Sequence, residues 1–302
     1  MRYYKGENIA YVFEDVIDDL WNDPDYVASP RGMEVREIRD CSMEIENPMK
    51  NVYRHPVRSS QFKYVAAELL WYFSGTNNPT YIENYAKMWK SLHNSDGTVN
   101  SSYGNLLFSE FNEHGHTQYD WVIKSLIKDK DSRQAFMHFN KPNHQFLENK
   151  DQVCTLQALF HIRENKLHMT LTMRSNDVIY GFMTDWSFFS VLQYHVYLEL
   201  KNWYPELEMG SYTHISHSMH VYQRHYDMVK KMVGKDYNSR EAHCEPESLP
   251  LLSETVLDNI GCIKPKYEKI LKPIIKGEKP DYSQRTGNPL IDWCLEKLEK
   301  DV

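Results

Sequence analysis

Cys154 stands in the stretch DQVCTLQ, between a polar loop and the first strand of a predicted hairpin. A cysteine at a junction of loop and strand can present a thiolate to a cleft, whereas a cysteine inside a strand is usually a small core side chain. Arg174 lies at the end of the paired strand, and a nearby guanidinium favours the thiolate. Spacing alone leaves both interpretations open, and Arg174 favours a nucleophile.

Three arginines share one local setting, because each stands at a predicted turn or strand end beside a serine. The pairs are Arg31 with Ser29, Arg133 with Ser132, and Arg174 with Ser175. Guanidinium groups with neighbouring hydroxyls suit a phosphate monoester. Any one of these arginines alone would be read as a surface residue, so the set predicts an anion site only if the fold brings its members together.

Two carboxylates stand beside apolar runs. Glu68 lies between Tyr64 and Trp71 on one side of a helical pattern that is apolar nearly all round. It is therefore a candidate buried acid, unless its carboxylate reaches the surface as most glutamates do. Asp185 stands where the run WSFFSVLQYHVYLELKNW begins, and it either caps that helix, faces a ligand, or does both.

The histidines His214, His217 and His220 recur at every third position, which suggests a metal site. Successive members of this series point to opposite faces of a strand, however, and no carboxylate or cysteine completes a ligand set. The five cysteines are odd in number and lack CxxC spacing, so they predict neither a disulfide framework nor a zinc site. We predict no metal.

The elements that must position these groups follow from periodicity and from chain breakers. A helix is predicted from Ile9 to Trp21, ending before Pro24. After a turn at Arg31-Gly32, a strand-like stretch begins near Val35 and is closed by Asn47-Pro48. The segment SSQFKYVAAELLWYFSG predicts a buried helix, with Ser60 as its N-cap and Gly75 as its C-terminal stop.

The second half of the chain continues with mixed elements. A hairpin is predicted around Glu164-Asn165, because apolar and polar residues alternate on its second strand. Thr184 or Asp185 opens a long helix that stops before Pro205. A strand ending near His220 to Tyr222 precedes another helix. Strands and helices without regular alternation predict an α+β fold.

The whole chain has 302 residues, 41% of them hydrophobic and 13% aromatic, without a break in composition. We expect a single domain spanning residues 1–302. The net charge of -7 argues against broad affinity for nucleic acid or anionic membrane. We find no signal peptide and no apolar run that could cross a bilayer, so we expect a cytoplasmic protein, in the host cytoplasm if it is viral.

Taken in order, these motifs resemble the thymidylate synthase family from about Ser29 to Met232. The matching pieces are ELLWYFSG with Glu68, the span from Trp89 to Tyr103 ending in SSYG, DSRQ, Cys154, MRSNDVIYG and HVY. The resemblance implies a thymidylate synthase-like α+β fold, with a mixed β-sheet packed with helices and a sheet-on-sheet homodimer. The core would span about 29–232, followed by a divergent C-terminal region, 233–302.

By this resemblance, Cys154 adds to C6 of a pyrimidine nucleoside monophosphate, and C5 then takes a one-carbon unit from 5,10-methylenetetrahydrofolate. Glu68 matches the glutamate that moves protons around the ring, and Tyr103 a tyrosine near the nucleophile. The implied phosphate ligands are Arg31, Arg174, Ser175 and, contributed by the partner subunit, Arg133. His220 and Tyr222 match the pair that holds the sugar hydroxyl, and the implied folate site comprises Trp89, Asp177 and Gly181.

Asp185 departs from the synthase pattern, which has asparagine at this place to bond uracil through N3-H and O4. Cytosine reverses both groups, and an acid can accept from its amino group and, when protonated, donate to N3. An ionised Asp185 would face O4 of uracil with an unpaired acceptor, at a cost of about 1–3 kcal/mol or more. The resemblance therefore points to the deoxycytidylate hydroxymethylase branch known from bacteriophages, in which Asp185 is catalytic as well as substrate-binding.

In that branch water attacks the exocyclic methylene, and the product is 5-hydroxymethyl-dCMP. The sequence ends NPLIDWCLEKLEKDV, without the short apolar tail that closes the synthase folate site, which we read as favouring water. Gln134, Thr155 and Ser218 replace a phosphate arginine, a histidine and an aspartate of the family. The alternatives are a ribo-CMP hydroxymethylase, a dCMP methylase, a thymidylate synthase, or a non-catalytic nucleotide- or RNA-binding regulator.

Overall fold

The computed structural model describes residues 1–55, 57–58, 61–234 and 248–299. Its α-helices are α1 (Ile9–Asn22), α2 (Phe62–Ser74), α3 (Tyr103–Phe108), α4 (Gln118–Lys128), α5 (Gly181–Lys201), α6 (Tyr226–Met232), α7 (Glu268–Ile275) and α8 (Pro289–Glu299). Its strands are β1 (Arg2–Gly6), β2 (Tyr26–Ala28), β3 (Val35–Ile45), β4 (Phe136–His138), β5 (Thr155–Arg163), β6 (Lys166–Met173), β7 (Asn176–Asp177) and β8 (Glu208–Tyr222). Strands and helices mix irregularly, which confirms the α+β prediction.

The described strands form one mixed sheet in the order β1-β3-β8-β6-β5-β4, with β2 paired to β3 and β7 paired to β8. The pairs β1 with β3, β6 with β8 and β7 with β8 are parallel, and the others are antiparallel. The hairpin between β5 and β6 turns at Glu164 and Asn165, which both have positive φ, as a tight type I′ hairpin turn needs. This turn lies where the sequence predicted it.

Helix α2 is buried on nearly every side, as its sequence predicted. Residues 65–74 are all buried, and the helix ends at Gly75, whose left-handed conformation (φ 69°) suits a helix C-cap. Gln61 occupies the N-cap position, and the predicted cap Ser60 lies outside the described residues. In the C-terminal region, Trp293 of α8 packs edge-on against Phe62 at 6.0 Å between ring centroids. The C-terminal region therefore packs against the start of α2.

The two faces of the sheet differ in their burial. On β6, Leu167, Met169, Leu171 and Met173 are at most 1% exposed, while the alternate residues His168, Thr170 and Thr172 are only half-buried. The same half-buried face continues onto β8 at Thr213 and Ile215, which pair with Thr170 and Thr172. One face of the sheet thus packs in the core, and the other is only partly covered by this chain.

Most predicted boundaries agree with the structure. Helix α1 begins at Ile9 and runs one residue past the predicted end, and β3 and β8 end where the sequence indicated. The start of α5 was wrong: the helix begins at Gly181, four residues before Asp185. Within the part of the chain that the structure describes, no helix is long and apolar enough to cross a membrane.

Candidate active site

Cys154 immediately precedes β5, at the end of the sheet where β6 finishes. The backbone N–H of Arg174 donates to the Cys154 carbonyl at 2.9 Å, and its guanidinium donates to the carbonyls of Gln152 and Val153 at 2.7 and 3.0 Å. The same guanidinium lies 3.5 Å from Cys154 Sγ. Arg174 therefore fixes the loop that carries the thiol, and the two predicted residues do meet.

Burial raises the pKa of the Cys154 thiol above its ordinary value, while the Arg174 guanidinium and, to a smaller degree, that of Arg31 act to lower it. The sequence predicted that Arg174 would favour the thiolate. The guanidinium acts in that direction, but desolvation outweighs it, because the sulfur is largely enclosed by protein. Within this chain the thiol is therefore the resting form.

Asp151 ties the nucleophile loop to the start of α3. Its Oδ2 accepts from the backbone N–H groups of Asn100 and Ser101, both at 2.7 Å, and its Oδ1 accepts from the Ser101 hydroxyl. The side chain is 4% exposed, so these donors replace the water that it gives up. Asp151 thereby holds the segment that leads to Tyr103 against the loop that leads to Cys154.

Tyr103 begins α3 beside the nucleophile. Its hydroxyl accepts from Thr155 Oγ1 at 2.9 Å, and its ring stacks on Tyr72 at 5.4 Å between centroids. Gly104 is required next to it, because a Cβ there would collide with the Tyr72 backbone. Thr155, which replaces a family histidine, is thus the residue that fixes the orientation of the Tyr103 hydroxyl.

Glu68 is buried, at 7% exposure, as the sequence predicted. Its Oε1 accepts from the hydroxyl of Tyr64 at 2.7 Å and from that of Tyr72 at 3.3 Å. Burial raises its pKa to about 8; the nearby Asp185 carboxylate adds to the rise, while the two phenol donors oppose it. Glu68 can therefore both give and take a proton near neutral pH.

Trp89 extends this hydrogen-bonded chain. Its Nε1 donates to the Tyr64 hydroxyl at 3.2 Å, and its ring meets Trp71 edge-on at 4.9 Å. Only 3% of the residue is exposed, so the predicted folate contact would involve a small part of its surface. The donors run in one direction, from Trp89 through Tyr64 to Glu68.

Asp185 does not cap a helix, because it lies in the second turn of α5. Its Oδ2 instead accepts from Asn176 Nδ2 at 2.8 Å. Burial raises its pKa to about 7; the Asn176 donor lowers it, and the Asp177 carboxylate raises it. The interpretation of this residue as a helix cap was therefore wrong, because the helix begins one turn earlier than the sequence suggested.

The Asp185 carboxylate shares its surroundings with the other predicted catalytic groups. In addition to burial, which is the largest cause, its charge raises the pKa of Glu68, Tyr103 and Cys154. These four side chains come from α2, α3, α5 and the residue just before β5. The fold thus gathers residues that are far apart in sequence into one cluster.

The predicted folate residues Asp177 and Gly181 flank this cluster. Asp177 Oδ1 accepts from the Ile179 backbone N–H at 2.9 Å, and Oδ2 lies 3.9 Å from the Arg224 guanidinium. Gly181 is the first residue of α5, where a Cβ would lie 3.2 Å from Asn176 Nδ2 and 3.5 Å from Asp185 Oδ2. The chain therefore passes close to the Asn176–Asp185 pair at this point.

The predicted sugar residues His220 and Tyr222 end β8. His220 is paired in register with Asp177 on β7, and its Nδ1 faces the Ser218 carbonyl at 3.1 Å. Its ring meets Tyr222 edge-on at 4.9 Å, and the Arg224 guanidinium lies over the Tyr222 ring at 4.5 Å. These two side chains therefore lie near β7, which carries Asp177.

The three arginines are all exposed, and the structure separates one of them from the others. Arg31 sits in a tight turn with φ 53°, a left-handed conformation that is uncommon for a residue with a side chain. Ser175 is half-buried between Arg174 and Asn176. Arg133, with Ser132, lines a surface cavity of about 620 Å³ beside α4, without any other predicted site residue.

The three spaced histidines have separate surroundings. His214 is buried against the Tyr212 hydroxyl at 2.9 Å, and burial lowers its pKa to about 3. His217 lies 2.8 Å from Asp40. Across the ranges that the structure describes, no group of three or more histidine, cysteine, aspartate or glutamate residues is arranged to hold a metal ion.

Four residues at the site were not singled out from the sequence: Tyr64, Tyr72, Asp151 and Asn176. Tyr64, Tyr72 and Asn176 each donate to a predicted acid, whereas Asp151 accepts from Asn100 and Ser101. Tyr64 and Tyr72 stand one helical turn before and after Glu68, so that i, i+4 spacing was a usable signal. Asn176 and Asp151 contact residues on other elements, and no local pattern reveals them.

Comparisons with known proteins agree with this arrangement. The sequence model described as thymidylate synthase matches residues 11–249. Proteins named deoxycytidylate 5-hydroxymethyltransferase, from Enterobacteria phages T2 and T4, are each 30% identical to the chain, over 229 and 212 residues, or 71% and 68% of this chain and 89% and 82% of theirs. Thymidylate synthase A of Bacillus subtilis superposes with a TM-score of 0.58 at 20% identity, covering 74% of this chain and 83% of that one.

The fold, the clustered thiol and acids, and these matches define a folate-dependent one-carbon transferase that acts on a pyrimidine nucleotide. More particularly, the chain belongs to the thymidylate synthase family, as its motifs predicted. Relatives with other names also match, including a deoxyuridylate hydroxymethyltransferase of Bacillus phage SP01, 26% identical over 80% of this chain and 66% of its own length. The family is therefore fixed, while the substrate and product require a separate argument.

Proposed function

We propose that the protein is a deoxycytidylate 5-hydroxymethyltransferase, which converts dCMP, 5,10-methylenetetrahydrofolate and water into 5-hydroxymethyl-dCMP and tetrahydrofolate. The observation that carries this proposal is Asp185, an acid with a pKa of about 7 in the cluster around Cys154. A carboxyl group that is close to half-protonated at neutral pH suits cytosine, because it can accept from the amino group and donate to N3. The names of the phage T2 and T4 relatives support the same substrate.

In the proposed reaction, the Cys154 sulfur bonds to C6 of cytosine while Asp185 gives its proton to N3, which makes C5 nucleophilic. The thiol proton must leave first, and the Arg174 guanidinium at 3.5 Å stabilises the resulting thiolate. The folate co-substrate supplies the one-carbon unit that C5 takes. Glu68 and Tyr103 then serve the removal of the C5 proton, with which tetrahydrofolate leaves, and the delivery of water, since both lie in the same cluster. When water adds to the exocyclic methylene, the Cys154–C6 bond breaks, the sulfur leaves as thiolate, and the N3 proton returns to Asp185.

The same proposal assigns the binding residues. Arg31, Arg174 and Ser175 bind the phosphate, and His220 with Tyr222 holds the sugar. The exposed guanidinium groups of Arg31 and Arg174 suit an anion, although Arg174 already donates to the carbonyls of Gln152 and Val153. Trp89, Asp177 and Gly181 would hold the folate. Gly181 lies beside Asp177 and Asp185, so a folate held there would meet the base-side cluster.

We further propose a single domain spanning residues 1–302 that assembles as a homodimer through its sheet. The half-buried face that carries His168, Thr170, Thr172, Thr213 and Ile215 supports this proposal, since a second sheet would complete its burial. Arg133 lies apart from Cys154 in this chain, which is consistent with its serving the partner's site. The dimer would then be required for a complete phosphate site.

One experiment separates this activity from its rivals. The protein is incubated with methylenetetrahydrofolate and dCMP, CMP or dUMP, and the products are weighed by mass spectrometry. Gain of CH2O on dCMP supports the proposal, gain of CH2 identifies a methylase, and turnover of CMP identifies a ribonucleotide enzyme. Turnover of dUMP alone overturns the role of Asp185, and no turnover of any substrate favours a non-catalytic binding protein. The incubation with dUMP is necessary because some relatives of the chain are named thymidylate synthase.

A further inference from the structure

Asn176 is the residue in contact with the base-reading acid. It lies on the short strand β7, which pairs with β8 at Met219, and it is 3% exposed. Its Nδ2 donates to Asp185 Oδ2 at 2.8 Å, so an amide from the sheet meets an acid from α5. Its own Oδ1 is buried and has no hydrogen-bond partner among the described residues.

The direction of this hydrogen bond has a chemical consequence for a protonated Asp185. In a neutral carboxyl group the carbonyl oxygen is a much better acceptor than the hydroxyl oxygen, so a donor held against Oδ2 makes Oδ2 the carbonyl oxygen. The proton is then confined to Oδ1. A free neutral acid would exchange the two arrangements at no cost and could pair with either cytosine or uracil.

We propose that Asn176 is the positioning residue that sets base specificity, by holding Asp185 Oδ2 as an acceptor and leaving Oδ1 as the place for the proton. This inference rests on the proposed function and deepens it. The acid then presents one donor and one acceptor in a fixed order, which matches the amino group and N3 of cytosine and mismatches uracil. The preference for cytosine over uracil therefore persists even at a pH where Asp185 is protonated.

The surroundings keep the pair from rearranging. A Cβ on Gly181 would come within 3.2 Å of Asn176 Nδ2 and 3.5 Å of Asp185 Oδ2, so the first turn of α5 passes directly over the bond. On the other side, β7 is held by the Val178 N–H, which donates to the His220 carbonyl at 2.9 Å. Neither partner can move away without shifting a backbone segment.

Other ionisable groups face Asp185 and enter any interpretation of its titration. They are the carboxylates of Glu68 and Asp177, the Cys154 thiol, and the phenols of Tyr64, Tyr72, Tyr103 and Tyr212. Among them the Asp177 carboxylate raises the pKa of Asp185, whereas the phenols and the thiol, whose own pKa values are raised, are still neutral where Asp185 titrates. Asn176 is the group whose hydrogen bond lowers this pKa, by stabilising the ionised form.

The test is the ratio of kcat/KM for dCMP to that for dUMP in Asn176→Ala and in the wild type. It is measured from about pH 5 to about pH 9, roughly two units on either side of the Asp185 pKa of about 7. We expect the ratio to fall by roughly 10-fold or more, as for loss of a hydrogen bond to a charged group. We also expect the titration midpoint to move to higher pH, because a donor to the ionised acid is gone. An equal loss for both substrates with an unchanged midpoint would overturn the inference.

Two further variants keep the test decisive if Asn176→Ala folds poorly. Asn176→Ser keeps a small hydrogen-bond donor, so its ratio of kcat/KM for dCMP to that for dUMP should lie between those of the wild type and Asn176→Ala. In a protein that already carries Asp185→Asn, adding Asn176→Ala should no longer change this ratio. An undiminished effect in that background contradicts the proposal. Asn51→Ala is the matched control: Asn51 is a buried asparagine that bonds Ser190 at 3.0 Å in the core, so its loss should lower stability and leave the ratio unchanged.

The outcome also separates this inference from the proposed function. A wild type that prefers dUMP contradicts the proposed substrate, whatever Asn176 does. A wild type that prefers dCMP, with a ratio that does not depend on Asn176, contradicts only the inference.

Discussion

The half of the site that would face the base and the half that would face the phosphate are built in different ways. Around the base, Glu68 and Asp185 are held by phenol and amide donors at 2.7 to 3.3 Å. Around the phosphate, Arg31, Arg133 and Arg174 are all exposed, and Arg174 alone of these is fixed by protein carbonyls. Under the proposed assignment, base recognition would be preorganised by contacts inside the protein, whereas phosphate binding would rely on charges that remain in water.

This difference has an energetic reason. A buried acid must have its hydrogen bonds arranged in advance, because an unpaired polar group in the interior costs about 1–3 kcal/mol. An exposed guanidinium pays no such cost and gains its energy only when the anion arrives. Substitutions on the base side should therefore change kcat and specificity, and substitutions on the phosphate side should mainly change KM.

The largest effect is expected for Cys154→Ala. Removing the sulfur removes the covalent step, so kcat should fall by roughly 10⁴-fold or more in single-turnover measurements with dCMP. Cys262→Ala is the control, because Cys262 is an exposed free cysteine and should leave kcat unchanged. Retained activity in Cys154→Ala would show that the base side and the phosphate side of this site merely bind nucleotide and that neither serves a covalent step at Cys154.

Asp185→Asn should change specificity more than stability. The amide can pair with N3-H and O4 of uracil, so the preference for dCMP over dUMP should fall by roughly 10³-fold. The titration of the acid, whose pKa is about 7, should also vanish from the pH profile of kcat/KM. In the wild type, dCMP turnover should decline as pH rises through this value, since the protonated acid donates to N3. A profile that is unchanged by the substitution would assign the midpoint to another group.

How much of the base side and the phosphate side could be predicted from the sequence depends on how far apart in the chain the contacting residues are. The apolar pattern around Glu68 predicted its burial, since that signal lies within one helix. The start of α5 was misplaced because Gly181 disfavours a helix interior and Tyr180 provides no capping side chain, whereas Thr184 and Asp185 look like caps. The Asn176–Asp185 bond joins a strand to a helix, so no periodicity could reveal it.

Arg133→Ala tests the phosphate half. Loss of one charge-assisted hydrogen bond should raise KM for dCMP by roughly 10- to 100-fold with a smaller change in kcat. Mixing inactive Cys154→Ala subunits with Arg133→Ala subunits tells which subunit supplies the arginine. If Arg133 serves the partner's site, mixed dimers contain one intact site and the KM returns to the wild-type value. If it serves its own site, mixing restores nothing.

Tyr64→Phe should give the smallest change in kcat, and it tests most directly whether the base side is preorganised by hydrogen bonds. Tyr64 donates at 2.7 Å to Glu68, whose pKa is about 8, and this donor lowers that pKa. Its removal should move the Glu68 midpoint above 8 and change kcat by roughly 3- to 10-fold, with KM for dCMP little altered. Tyr72→Phe removes a longer bond, 3.3 Å, and should shift the midpoint less. A change in KM without a shift in midpoint would mean that the phenols only fill space, because a group that merely packs against Glu68 has no reason to move its titration.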